Sequence, residues 1–396
     1  MSQEAFLPVE AVTSWNHYWK IDHEVTFLNH GSFGACPFPV LEAQQRLREQ
    51  LEREPVRFFL REWEPLLDRA RQELARFVGA DAEDLVFVPN ATTGVNCVLR
   101  SLHFQPGDEL LTTTQEYNAT RNAIAFVCDR ANATLVTAPV PFPLTSPQQI
   151  IDAVMSRVSS RTKLVILDRI SSQTGLIFPL ETLVRQLSQL GIETLIDGAH
   201  APGMLPLNLS QLGATYYTGN CHKWLCAPKG AAFLYVQRDR QPKIRPLTIS
   251  HGANSPLQDK SRFQLEFDWM GTDDPTAYFC VPVAIEFMGS LLPGGWPELM
   301  QKNHSLVIEA RQLLCDTLQV PLPAPEDAIG SLASIPLPDG SAMELRDELF
   351  DRYHIEVQVI PWPAPPHRLL RISAQIYNSL PQYQTLANAL REILSP

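Results

Sequence analysis

Four stretches of this 396-residue chain join side chains able to do chemistry to turn formers. Asn90-Ala91-Thr92-Thr93-Gly94 sets two hydroxyls and a glycine where a short apolar run gives way to a helical pattern. Backbone N–H groups at a helix start attract anions, so the stretch suits one phosphate; an N-cap with a spare threonine fits the same residues. Asp197-Gly198-Ala199-His200 puts a carboxylate at the end of a second apolar run. There it needs a cation, such as a protonated ring nitrogen, or else it caps the next turn. Asn220-Cys221-His222-Lys223-Trp224 places a lysine among apolar neighbours, 26 residues after Asp197. Most lysines are solvated, but a desolvated one has a lowered pKa and attacks aldehydes. Ser171-Ser172-Gln173-Thr174-Gly175 is a fourth polar turn, ordinary when taken alone.

Each stretch follows a candidate strand. Short β-branched runs at 85–88, 109–113, 134–137, 163–167, 193–196, 215–218 and 231–236 alternate with helical patterns at 92–102, 117–130, 147–158 and 180–190. Such βαβ succession predicts an α/β fold with a mainly parallel seven-stranded sheet, helices on both faces and ligands at the carboxyl ends of the strands. Upstream, 26–39 is a turn-rich loop and 41–78 holds two or three helices broken near Pro55 and Pro65. The interval 242–274 lacks periodicity and is expected as a loop or hairpin over the site. Helical patterns at 277–292, 296–318, 342–353 and 382–394, with strands at 331–336, 355–360 and 369–373, predict a smaller α+β domain. The division is then an arm at 1–25, a large domain at 26–280 and a small domain at 281–396. Placed at strand ends, an anion cradle, a carboxylate for a ring nitrogen and a lysine for an aldehyde together meet the needs of pyridoxal phosphate.

Composition narrows the partners. The chain is 45% hydrophobic and 19% charged, which excludes a disordered protein. A net charge of −11 argues against nucleic acid or an anionic membrane and for a small molecule. No apolar stretch reaches the roughly 18 residues of a membrane span, and the start lacks a targeting pattern, so a cytoplasmic location is expected. Seven cysteines without a CxxC pair suggest neither a disulfide framework nor a metal site.

Beyond these local readings, the sequence resembles the class V aminotransferase group of fold-type I pyridoxal-phosphate enzymes, which includes cysteine desulfurases, cysteine and cystine C–S lyases and isopenicillin N epimerase. Residues 27–37 (FLNHGSFGACP) and 220–230 (NCHKWLCAPKG) resemble the epimerase-like branch most closely, and the likeness spans nearly the whole chain. It implies that Lys223 forms the Schiff base and handles the Cα proton, and that Asp197 holds the pyridinium nitrogen. His200 would reach the ring oxygen and Tyr117 would stack on the ring, although a plain core aromatic fits Tyr117 as well. Thr92, Thr93, Asn220 and His222 would hold the phosphate. Thr272 would enter the neighbouring subunit's phosphate site, implying a homodimer with shared active sites. Arg371 would bind the substrate carboxylate; Arg368, three residues away on a strand, faces oppositely. Asn29 and His30 would line the entrance or cap a turn.

Removing the Cα proton is common to elimination, epimerisation and transamination. Desulfurases also need a mobile cysteine between the last small-domain strands. Here 358–367 has no cysteine and four prolines. A C–S lyase acting on cysteine, cystine or an S-substituted cysteine is therefore the leading expectation, followed by an amino-acid epimerase, an aminotransferase, and a non-catalytic module on the same scaffold.

Overall fold

The computed structural model describes residues 13–394. After a two-residue strand β1 (Thr26–Phe27), the chain builds one sheet from β2 (Leu85–Val88), β3 (Glu109–Thr113), β4 (Thr134–Ala138), β5 (Thr162–Asp168), β6 (Glu193–Asp197), β7 (Tyr216–Asn220) and β8 (Ala232–Val236). Their order is β2-β8-β7-β6-β5-β3-β4. The run from β7 to β4 is parallel, and β8 lies antiparallel between β2 and β7. All seven expected strands are present within two residues of their expected bounds. Leu, Val and Ile fill the inner strands because helices cover both faces, while the edge strand β4 leaves Thr134 and Thr137 exposed.

A second sheet, β11-β12-β9, is antiparallel and combines β9 (Leu332–Leu337), β11 (Gln358–Pro361) and β12 (Arg368–Ser373). The strand expected at 355–360 is divided. Its first part, β10 (Ile355–Glu356), pairs in parallel with β1, and pairing with β12 begins only at Gln358. With the Ser373 N–H donating to the Leu28 carbonyl at 3.0 Å, this ties the segment after β1 to the small sheet and wedges residues 29–34 beside the ends of the large one.

The interval 242–274 departs from expectation. It holds a helix, Arg262–Asp268, whose Phe263 and Phe267 join the core formed by β2, β8 and the helix Ala91–Ser101. Arg71 donates to both oxygens of Asp268 at 2.7 Å, clamping the segment to the helix Trp63–Val78. None of it lines the cleft of its own chain. Two aromatic residues four apart were its helical signal, too short a period to stand out beside the prolines. Among the described residues no single helix is long and apolar enough to cross a membrane.

Candidate active site

The carboxyl ends of β5, β6 and β7 and the turns after β2 and β3 enclose a cleft of about 160 Å³. Lys223 reaches it from the turn after β7. Trp224 Nε1–H donates to His200 Nδ1 at 3.3 Å. An indole N–H is only a donor, so Nδ1 is bare and the His200 proton sits on Nε2. That proton points at Lys223 Nζ, 3.1 Å away, a bond that requires the lone pair of a neutral amine. Burial, helped by Arg371 and opposed by Asp197 and Asp168, lowers Lys223 to about 8. Burial and the nearby Lys223 and Arg371 charges likewise hold His200 well below the ordinary histidine range. Geometry and electrostatics agree on an amine that gives up its proton far more readily than a solvated lysine.

Asp197 ends β6 and is buried. It accepts from the Thr120 hydroxyl at 2.9 Å and from the Ala199 N–H at 3.1 Å. Burial raises its pKa while these bonds and Lys223 pull it down, so a cation arriving in the cleft decides the charge.

The anion cradle lies at the start of Ala91–Ser101. Asn90 Oδ1 caps the helix by accepting from the Thr93 N–H at 2.9 Å, and the Ala91 N–H donates to Asn220 Oδ1 at 2.9 Å. Gly94 is required for packing rather than for approach to a ligand, since a Cβ there would fall 2.2 Å from Thr218 Oγ1 on β7. The two threonines separate: Thr92 lines the cleft, whereas Thr93 turns its hydroxyl to Asn90 Oδ1 at 3.1 Å and does not. His222 also lines the cleft. Its Nδ1 donates to the Ala231 carbonyl at 3.1 Å, leaving Nε2 as the ring atom able to meet a phosphate. Tyr117 stands at the mouth, 43% exposed, immediately before the helix Asn118–Ala131, so it is a wall of the cleft and not a core aromatic.

Arg371 comes from β12. Its Nη1 donates to the Ser172 carbonyl at 2.7 Å and its Nη2 to Ser32 Oγ at 2.7 Å, while Nε is buried without a partner. Burial lowers it to about 10. Arg371 itself does not line the cleft; it lies behind Ser32 and Ser172, which do, so its charge reaches the cleft through them. Arg368 faces away from the cleft, donating to the Pro338 and Ser341 carbonyls at 2.8 and 2.6 Å.

Two expected entrance residues are elsewhere. His30 is fully buried: Nε2 donates to the Lys223 carbonyl at 3.2 Å, and Nδ1 meets the Tyr377 hydroxyl at 2.7 Å. It braces the lysine turn from behind and stays neutral, its pKa lowered to about 3 by burial. Asn29 is also buried, and its Oδ1 accepts from Ser32 Oγ at 2.6 Å and from Arg371 Nη2 at 3.4 Å, so it orients the arginine. The short helix they begin lies against the lysine turn, where Gly34 at φ +68° avoids a Cβ 2.3 Å from the His222 carbonyl. Ser32 and Phe33 line the cleft instead. Thr272 is exposed and outside its own chain's cleft.

Ser172, from the polar turn at 171–175, lines the cleft as that turn's place at a strand end suggests; Asp168, which also lines it, and Glu116, buried beneath it, were missed by sequence reasoning. Asp168 ends β5 as Asp197 ends β6, and the expected strand stopped one residue short of it. The larger cavity of about 1050 Å³ opens beside Asp108, Lys163 and Glu193, at the opposite ends of the strands, and none of these site residues lines it.

A buried lysine of lowered pKa, a carboxylate at the same cleft, a helix-start anion cradle and an arginine held behind Ser32 and Ser172 together fit pyridoxal phosphate and an amino acid. The chain is 34% identical to isopenicillin N epimerase of Amycolatopsis lactamdurans, over 94% of this chain and 96% of that protein. It is 27% identical to a probable chloroplastic L-cysteine desulfhydrase of Arabidopsis thaliana, covering 97% and 86% respectively. Among solved structures, a cystine C–S lyase in complex with its product cysteine persulfide superposes with a TM-score of 0.79 at 22% identity, covering 93% of this chain and 97% of that one. The aminotransferase class-V family model matches residues 44–389, and the chain belongs to that family.

Proposed function

We propose that the protein is a pyridoxal-phosphate-dependent C–S lyase that takes a small cysteine-type amino acid and releases pyruvate, ammonia and a thiol or persulfide. When bound, the cofactor supplies an aldehyde for amines and a protonated ring that draws electrons from the substrate Cα. Lys223 Nζ would hold that aldehyde, and the same amine would be the base for the substrate Cα proton. Asp197 would keep the proton on the ring nitrogen, Tyr117 would cover the ring, and Thr92, Asn220 and His222 would hold the phosphate with the helix start. Arg371 fixes the substrate carboxylate, with Ser32, Ser172 and Asn29 fixing Arg371.

The observation that favours elimination over persulfide transfer concerns thiols. All seven cysteines are buried, and none lines the cleft or lies in 358–367. Burial pushes Cys36 and Cys97 up to about 12, so no thiolate waits to attack substrate sulfur. Elimination needs none. The relatives that are desulfhydrases support the same reading. Epimerisation is the second reading, favoured by the 34% identity to an epimerase and by the Tyr117 hydroxyl at the cleft mouth as a second proton carrier. The test is incubation of purified holoenzyme with L-cysteine, L-cystine and S-alkyl cysteines. The lyase reading expects pyruvate in equal amount with the sulfur product, sulfide from L-cysteine, persulfide from L-cystine and thiol from S-alkyl cysteines, and absence of pyruvate with every substrate would overturn it.

We also infer a homodimer with shared sites. The exposed Thr272 and the apolar Phe33, Val56 and Leu60, each at least 70% exposed, support this reading.

A further inference from the structure

Arg371 and Lys223 come from different sheets, and residues 28–34 make contact with the surroundings of both. On the arginine side, Ser373, at the end of the strand that carries Arg371, donates its N–H to the Leu28 carbonyl at 3.0 Å and accepts from the Gly31 N–H through Oγ at 3.0 Å. Ser32 Oγ accepts from Arg371 itself at 2.7 Å. On the lysine side, a Cβ on Gly34 would fall 2.9 Å from the Lys223 carbonyl oxygen, and His30 Nε2 donates to that oxygen at 3.2 Å. The segment is a spacer between the two groups, and His30 is its bond to the lysine turn.

His30 is itself held from the far side. A carbonyl can only accept, so Nε2 carries the ring proton and Nδ1 is bare. The Tyr377 hydroxyl, 2.7 Å from Nδ1, is then the donor of that bond. Tyr377 is buried just past β12, with its ring edge-on to Trp19 at a centroid distance of 5.0 Å, and it does not line the cleft. The amide nitrogen of Gln375 also approaches His30 Nε2, at 3.4 Å. Its Oε1 is taken by Asn303 Nδ2 and by the Ile376 N–H, both at 2.8 Å, which turns the amino group toward Cys226 Sγ at 3.7 Å. That amino group serves the sulfur, and the His30 proton stays on the lysine carbonyl.

The lysine turn needs such a bond. The Lys223 carbonyl also accepts from the Cys226 N–H at 3.1 Å, closing a turn in which Cys226 stands at φ +63°. Left-handed backbone is unfavourable for a residue with a Cβ and persists where its surroundings hold it. We propose that Tyr377 is a positioning residue for Lys223: by donating to His30 Nδ1 it fixes the imidazole that holds the lysine carbonyl, and so sets the reach of Nζ toward a substrate Cα. The proposal rests on the reading of Lys223 as the base. Without the hydroxyl, Nδ1 keeps a buried lone pair unmet and the ring is free to turn, while the bonds of Arg371 to Ser32 and Ser172 remain. The loss then falls on proton removal and spares amino-acid binding.

The experiment compares wild-type holoenzyme, Tyr377→Phe, His30→Leu and the double variant, using L-cysteine and its Cα-deuterated form. Tyr377→Phe should lower kcat about tenfold with KM changed less than about twofold, and should raise the primary deuterium isotope effect as Cα–H cleavage slows against other steps. On the His30→Leu background the tyrosine change should cost nothing more, because Tyr377 acts through His30. A second readout needs neither cofactor nor substrate. Spectra of apoprotein labelled with ring-15N histidine should show His30 protonated at Nε2, with an Nδ1 signal that moves to the position of a free ring nitrogen in Tyr377→Phe. An unchanged kcat and isotope effect in folded Tyr377→Phe, costs that multiply in the double variant, or a wild-type ring protonated at Nδ1 would each overturn the proposal; a lowered melting temperature alone would mark Tyr377 as merely structural and do the same. Should His30→Leu not fold, Tyr377→Phe and the ring spectra decide without it. Wild-type protein that binds no pyridoxal phosphate, or that removes no Cα proton, would instead defeat the reading of Lys223, and the ring spectra would still test the tyrosine.

Discussion

Lys223 owes its reactivity to neighbours from three separate parts of the chain. Trp224 fixes the tautomer of His200, His200 offers its proton to the amine, and His30 holds the lysine carbonyl. Lysine and aspartate were legible in the sequence because each ends an apolar run. The true posts of His30 and Asn29 were not, because a polar residue in a turn-rich segment reads the same whether it faces a cleft or braces the backbone behind one. Arg371 gives a direct test at this scale. Arg371→Ala should raise KM for the amino acid about 100-fold with a smaller loss in kcat, and Arg371→Lys should recover little, since an ammonium cannot form the same fork. Glu116 gives a pH test. Its folded pKa of about 8 lies above the ordinary 4.5, so folding takes up a proton between those values and stability falls as pH climbs through them. Glu116→Gln has no such proton. Thermal midpoints of the two holoenzymes from about pH 5 to 8 should show the wild type losing ground to the variant, whereas a constant gap would mean that Glu116 is ionised throughout.

Elements set where these residues meet. The seven strands and the helices between them were readable because apolar runs of four to seven residues alternate with amphipathic stretches, and a parallel sheet then puts every βα turn at one end. The register that pairs Asp168 with Asp197 was hidden, since it depends on hydrogen bonding between strands rather than on either sequence alone. So was the contact between Gly94 and Thr218. Gly94→Ala should push the helix start off β7, costing about 1–3 kcal/mol of stability and weakening cofactor binding, as read by thermal unfolding and by titration of apoprotein with pyridoxal phosphate. An unchanged melting temperature and cofactor affinity would show that the helix start has room to give.

At the scale of the molecule, the three-stranded sheet carries Arg371 and the seven-stranded sheet leads into Lys223, and one apolar cluster running from Val165 and Leu167 to Ile335 and Leu370 holds the two sheets together. Parallel pairing of β1 with β10 joins the two regions early in the chain, which composition and periodicity could not show because both strands have only two residues. The proposed shared sites predict subunit complementation. Thr272→Trp should impair cofactor binding, and co-assembly with Lys223→Ala should restore activity, because one site of each mixed dimer regains both wild-type residues. Full activity of Thr272→Trp alone would mean that each chain completes its own site.

The central claim is that the carbanion at Cα ends in C–S cleavage. The most direct measurement is a single reaction of holoenzyme with L-cysteine and an S-alkyl cysteine in deuterium oxide, counting pyruvate against recovered amino acid that carries deuterium at Cα. The account predicts that pyruvate accumulates in step with the sum of sulfide and thiol and that recovered substrate keeps its configuration. Deuterated substrate of inverted configuration without pyruvate would contradict it and make the protein an epimerase.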